Sequence, residues 1–222
     1  MKLNEEIAEL VGAIMGDGNI WSNDRWYEVT ITGDKINDKE YFLYLKSLIE
    51  KNVKLNPYLR NRGGVRITIK SKTFYKFLTE ELGIPSGITK RTKGIPNLIK
   101  TDQKLIRKFL RGVFDTDGSI FTSNKKGSLD YPTLEITNKN EVLMTEIYSN
   151  LIDFGYRAKI RLFNGTYKIS LNGHSMVRKW NSEIGSSNKY KSEKLDKILN
   201  LNSPNKFRRR SSSVGRASVF FS

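Results

Sequence analysis

Residues 9–20 read ELVGAIMGDGNI and residues 109–120 read FLRGVFDTDGSI. Set one above the other, Gly12 falls on Gly112, Asp17 on Asp117 and Gly18 on Gly118, all at one constant offset. In each copy apolar residues recur on a helical stripe: Ile7, Leu10, Val11 and Ile14 in the first, Leu105, Ile106, Phe109, Leu110 and Val113 in the second. Asn4 and Thr101 stand where N-caps belong. Gly18 and Gly118 stand where a helix turns over through a left-handed residue, before Ile20 and Ile120 open a strand. Gly12 and Gly16 in one copy, and Gly112 and Thr116 in the other, leave one face small enough for the two helices to pack closely.

A helix C-terminus carries roughly half a negative charge, which disfavours an aspartate in the last turn. Both copies place one there. If the helices pack side by side, two carboxylates converge against like-charge repulsion. A hard divalent cation such as Mg²⁺, which takes oxygen ligands from one or two carboxylates, resolves the conflict. A lone Asp-Gly after a helix is ordinarily a turn; the recurrence, with a glycine five residues earlier both times, separates this pair from that reading.

Outward from the motifs the two halves retrace one order. After the first motif, Tyr27, Val29 and Ile31 alternate with Glu28, Thr30 and Thr32 in a half-buried strand, joined to residues 19–22 through a polar turn. Residues 37–51 return to helical spacing, and a hairpin of residues 58–62 and 65–70 follows across Gly63-Gly64. A helix over 71–82 and a Gly/Pro-punctuated loop over 82–96 complete the half. The second half runs through a motif helix at 102–116, a turn around 124–128, a strand at 133–137 (LEIT against VTIT) and a helix at 140–153. A hairpin over 158–171 then turns at Asn164-Gly165, and helices are expected over 174–184 and 191–199. The boundaries read from this are 1–98, 99–202 and a basic, patternless tail at 203–222.

Lys and Arg total 39 against 23 acidic residues, a net charge of +16, and 37% hydrophobic residues suffice for a core. Such an excess is matched by a polyanion, so DNA or RNA is the expected partner. A membrane is not expected, because no apolar run has spanning length. The absence of cysteine excludes disulfides, thiolate metal sites and thiol catalysis. His174, the only histidine, is read as a solvated polar residue. The N-terminus, Met1-Lys2-Leu3-Asn4-Glu5, shows no signal-peptide pattern, and an intracellular location is expected.

The pair GAIMGDG and GVFDTDG resembles the two motifs of the LAGLIDADG homing endonucleases of the single-chain, two-repeat kind, over about residues 5–200. The resemblance implies an α+β fold of two pseudo-symmetric αββαββα repeats, with the motif helices central and the antiparallel sheets forming a DNA-binding saddle. It implies a monomer making a Mg²⁺-dependent double-strand break, with Mn²⁺ able to substitute and one acidic metal ligand per motif, here Asp17 and Asp117. The carbonyls of Gly16 and Thr116 would assist in holding metal. The family also places a basic residue near each scissile phosphate; Lys90 or Arg91, and Lys189 or Lys191, fall in the matching loops, with Lys90 and Lys189 favoured. Alternation puts Arg60, Arg62, Arg66 and Lys70, and Lys159, Arg161 and Lys168, on the polar strand faces where they can meet DNA, although such residues also keep sheet edges soluble. The competing reading is a non-catalytic nucleic-acid-binding protein on the same scaffold, a regulator or an RNA splicing maturase.

Overall fold

The computed structural model describes residues 1–23, 25–87, 92–125 and 128–201. The tail expected from 203 onward lies outside the described residues, as do Lys90 and Arg91. The first motif forms α1 (Glu5–Asp17), in which every residue from Ile7 to Met15 is buried. The Asn4 side chain accepts a hydrogen bond from the Ile7 N–H at 2.8 Å, and Glu5 and Glu6 lie in the first turn, where the helix dipole favours them.

α1 leads into β1 (Gly18–Ser22) and β2 (Tyr27–Gly33), then α2 (Lys39–Asn52), β3 (Tyr58–Asn61), β4 (Val65–Lys70) and α3 (Lys72–Lys76). Where one helix over 71–82 is expected, α3 widens into a π-helical turn from Phe77 to Glu81. A short α4 (Asn97–Lys100) precedes the second motif helix, α5 (Gln103–Asp117). Next come β5 (Gly118–Lys125), β6 (Ser128–Asn138), α6 (Glu141–Asp153), β7 (Ala158–Phe163), β8 (Thr166–Asn172), α7 (His174–Glu183) and α8 (Lys189–Leu201). The cap of α5 is Asp102, whose carboxylate accepts from the Lys104 N–H at 2.7 Å, and not Thr101. Thr101 closes α4 instead, its hydroxyl donating to the Leu98 carbonyl at 2.9 Å.

The motif helices meet backbone to backbone. A Cβ on Gly12 would run into the carbonyl oxygen of Phe109 and lie 3.0 Å from the Val113 nitrogen. A Cβ on Gly112 would run into the carbonyl of Glu9 and lie 2.8 Å from the Ala13 nitrogen. Gly18 (φ −85°, ψ 160°) and Gly118 (φ −91°, ψ 155°) are extended, so the expected left-handed cap is absent. Glycine is required there for space: a Cβ on Gly18 would sit 2.5 Å from the Ile14 oxygen, and one on Gly118 would strike the ring and carbonyl of Phe114. Each helix therefore passes into its strand without a loop, and the preceding aspartate is held at the junction.

Each half carries one antiparallel sheet, in the order β1-β2-β4-β3 and β5-β6-β8-β7. The registers are equivalent: Gly18 pairs with Ile31 and Gly118 with Ile136, while Thr32 pairs with Arg66 and Thr137 with Lys168. Ile20, Val29, Ile31, Ile67 and Ile69 bury one face of the first sheet, and Ile120, Leu134, Ile136, Ile169 and Leu171 the matching face of the second. This is the two-repeat α+β architecture expected from the motif pair.

The ends of each half reach across to the other. Asn188 donates to the Asp38 carboxylate at 2.7 Å, at the start of α2. The Glu146 carboxylate on α6 accepts from the Ile95 N–H and from Lys100, both at 2.6 Å. Gly112→Val forces the two central backbones apart, and we expect a loss of about 3 kcal/mol, read as a lowered urea midpoint. An unchanged midpoint would mean that the helices are not in backbone contact.

Candidate functional site

The two helix ends converge on an open cleft of about 470 Å³ lined by Gly16, Asp17, Asn19, Asp117, Asn138 and Lys139, among others. A Cβ on Gly16 would lie 3.2 Å from the Asp117 carboxylate, so the second motif's acid rests against the first motif's small residue. The structure thus brings Asp17, Asp117 and Gly16 together. Asn138, which sequence reasoning misses, donates to the Asp117 carboxylate at 2.5 Å, and the Thr137 hydroxyl donates to the Asp117 carbonyl at 3.4 Å. Its signal lies in the alignment of the halves: LEIT runs on into Asn138 where VTIT runs on into Gly33.

The end of α5 is stabilised by a buried lysine. Lys191 donates to the carbonyls of Phe114 at 2.8 Å, Asp115 at 2.9 Å and Thr116 at 3.2 Å. An ammonium at a helix C-terminus opposes the dipole that an aspartate there would worsen. Burial pushes the Lys191 pKa down, and nearby Asp115, Asp38, Asp117 and Asp17 push back. Lys189, the lysine favoured from sequence, pairs instead with Glu40 at 2.9 Å, with both side chains exposed; that partner raises its pKa. Of the two lysines left open by the sequence, Lys191 is the one that touches a motif helix. The carbonyl of Thr116, expected to assist in holding metal, accepts from it. Lys90 and Arg91 lie outside the described residues. Lys139, at the cleft, is a cation that sequence reasoning overlooks.

Asp115 lies behind the cleft, fully buried. Burial raises its carboxyl to about 7, although the Ser186 hydroxyl and the Ser187 N–H donate to it and Lys191 favours its charge. It ties α5 to the segment before α8 and does not line the cleft. His174 begins α7, half-buried rather than solvated as expected, and burial lowers its pKa.

The open faces of the sheets adjoin the cleft, since Asn19 and Thr137 belong to both. On the first face Arg60 and Arg66 pair across β3 and β4, with Lys70 further along β4 and 5.8 Å from the Trp26 ring centre. Arg62 lies at the hairpin tip in a shallow recess with Arg60 and Arg66. On the second, Arg161 and Lys168 occupy the equivalent pair, with Lys159 beside them on β7. All seven nominated cations lie on or at the rim of these faces.

The donor set fits a hard divalent cation. Two carboxylates face one cleft at the negative ends of two helices, and among the described residues no third acidic group joins them. Oxygen ligands from one or two carboxylates, with water and substrate completing the shell, are how Mg²⁺ is commonly held.

Glycine-packed acidic helices between two antiparallel four-stranded sheets define a class. Residues 104–185 match the family model of the LAGLIDADG-like domain. The second motif helix, the second sheet and α7 thus lie within a LAGLIDADG-like domain, and the two-repeat fold of the whole chain is shared with solved structures. Its fold is that of I-DmoI in complex with DNA and Ca, with a TM-score of 0.62, 18% identity, and coverage of 87% of this chain and 97% of that one. Full-length DUF199/WhiA from Thermatoga maritima is also similar, with a TM-score of 0.56, 19% identity, and coverage of 91% and 63%. By sequence the chain is 24% identical over 208 residues to a replication factor C small subunit of Methanocaldococcus jannaschii, covering 91% of this chain but only 10% of that protein. It is 26% identical over 159 residues to the uncharacterized protein MJ0314 of the same organism, spanning 55% of its length. Among the described residues no helix is long and apolar enough to cross a membrane.

Lys191→Met strips three carbonyls of a charged donor, and we expect it to cost about 3 kcal/mol. The exposed Lys189→Ala should leave the midpoint nearly unchanged. Equal shifts in urea midpoint would contradict the role assigned to Lys191.

Proposed function

We propose that the chain is a site-specific homing endonuclease that makes a double-strand break in DNA, acting as a monomer with repeats at 1–98 and 99–202. The observation that carries this reading is the meeting of Asp17 and Asp117 over one cleft, between two cationic sheet faces. That I-DmoI has been crystallised with DNA and Mn supports it. Asp17 and Asp117, with the carbonyls of Gly16 and Thr116 beside them, would hold Mg²⁺, or Mn²⁺ in its place. When bound, the ion supplies Lewis acidity toward phosphate oxygens and neutralises developing charge.

The chain's own residues do the rest. Asn138 fixes the rotamer of Asp117, so that its second oxygen points in a set direction. Lys139 supplies positive charge at the rim of the cleft, where a scissile phosphate would lie. Arg60, Arg62, Arg66 and Lys70 on one side, and Lys159, Arg161 and Lys168 on the other, hold the duplex across both halves. Phosphate contacts fix register, and arginine forks meeting guanine edges in the major groove specify sequence. Among the described residues no histidine lines the cleft, so solvent must carry away the proton of the attacking water.

A second reading, a non-catalytic nucleic-acid-binding protein such as a regulator or RNA splicing maturase, draws on one observation. In the second half, the Asp117 carboxylate and the Thr116 carbonyl are already engaged within the protein. The two readings separate on divalent cations. From a library of supercoiled plasmids with randomised inserts, the members that carry the target should be linearised with Mg²⁺, recovered as a selected set, and spared with EDTA. Asp17→Asn and Asp117→Asn should each slow cutting by about 100-fold or more while duplex binding persists. Mg²⁺ should also raise the melting temperature of the native chain but not of the double variant. Undiminished cutting by the double variant would end the assignment, and binding without cutting at any divalent concentration would favour the second reading.

A further inference from the structure

Each sheet face carries a cation pair in the same register. Arg60 and Arg66 face each other across β3 and β4, with Thr32 next on β2; Arg161 and Lys168 face each other across β7 and β8, with Thr137 next on β6. In the row beside them only the second face places an acid. Thr30 pairs with Asn19 and Thr68 on the first face, and at the equivalent place Glu135 pairs with Ser119 and Ser170.

That exchange changes the state of the cations. Glu135 has only 8% exposure, and its carboxylate meets Arg161 at 3.5 Å and Lys168 at 3.4 Å, one oxygen to each. Arg60 and Arg66 have no carboxylate within ion-pair distance among the described residues. A carboxylate on a surface that receives phosphates is repulsive to them, and it neutralises part of the charge that releases counterions. What it supplies in return is orientation. A guanidinium tethered by one nitrogen presents its remaining donors in a fixed direction, which a guanine edge can use and a diffuse phosphate field does not need.

Resting on the DNA-binding reading above, we propose that Glu135 is a specificity-determining positioning residue. It holds Arg161 and Lys168 for base readout in the second half-site and suppresses their non-specific attraction to phosphates. The first half-site, with threonine in its place, grips the backbone more freely. The two halves of the molecule thereby divide the labour, one anchoring and one discriminating.

The chain supplies its own control, because Glu135→Thr puts the first repeat's residue at this position into the second and Thr30→Glu does the reverse. Binding to a fluorescein-labelled duplex of random sequence is followed by anisotropy across a salt series. Glu135→Thr should tighten binding at low salt and steepen the slope of log K against log salt by about 1 to 2, since the slope grows by roughly 0.9 with every further phosphate that the protein neutralises. Thr30→Glu should weaken binding and flatten the slope by a similar amount. Selection from a randomised duplex library should show base preferences on one half of the site for the native chain, relaxed there by Glu135→Thr. An isosteric Glu135→Gln, which keeps the packing but removes the charge, should behave like the threonine variant. Native chain that binds duplex while all three variants keep its slope and its preferences would overturn the role of Glu135. Native chain that shows no salt-dependent duplex binding would overturn the DNA reading itself.

Discussion

The contact between α1 and α5 is the constraint from which the rest follows. Two helices touching through main chain at Gly12 and Gly112 have no freedom to splay, and their C-termini must end side by side. Because each helix runs directly into a strand, the last helical residue is also fixed in rotation about the axis. Asp17 and Asp117 are therefore placed by backbone alone, before any side-chain interaction is considered. The result is electrostatically unfavourable, with carboxylates at the negative ends of both dipoles. Lys191 relieves it from beneath α5, and Asn138 shares the charge of Asp117 from the side. The repulsion that remains is what a divalent cation would relieve under the proposed function.

Around that centre the halves are braced reciprocally. The segment before α8 meets the start of α2 through Asn188 and Asp38, and the segment before α5 meets α6 through Glu146. Exposed pairs such as Lys189 with Glu40 contribute little energy. The partly buried bonds matter more, since Asn188 also donates to the Asp115 carbonyl at 3.4 Å and so links α2 to α5 directly. Such links set how far apart the two open faces stand, and a duplex spanning both needs that separation held.

Much of this architecture is legible in the sequence, for a physical reason. Helix stripes, strand alternation and hairpin glycines are local patterns, and duplication lets each half confirm the other. The Asn164-Gly165 turn, with both residues in the left-handed region, is where the dipeptide signal places it. What is not legible depends on distance in the chain. Thr101 and Asp102 are both competent caps, and the role falls to Asp102 because Thr101 already closes α4. The sequence suggests Gly18 for its freedom at positive φ, whereas its need is room beside Ile14. Lys189 and Lys191 are indistinguishable by motif; only the fold shows that one reaches the carbonyls of α5 while the other turns to Glu40. Asn138 comes into view only by asking where VTITG and LEITN part company.

Such partings between the halves bear on what the protein can recognise. A dimer of identical repeats presents identical half-sites, and its target must mirror the protein's two-fold symmetry. A single chain holding both repeats is released from that requirement, and each half can change alone. Here the backbone geometry that places the acids has stayed nearly symmetric, while the residues around them have not. Gly33 stands opposite Asn138, Asp34 opposite Lys139 and Thr30 opposite Glu135. The backbone is symmetric at the paired acids while side chains at the cleft and on the open faces diverge, so a duplex bound as proposed would not have to be a palindrome.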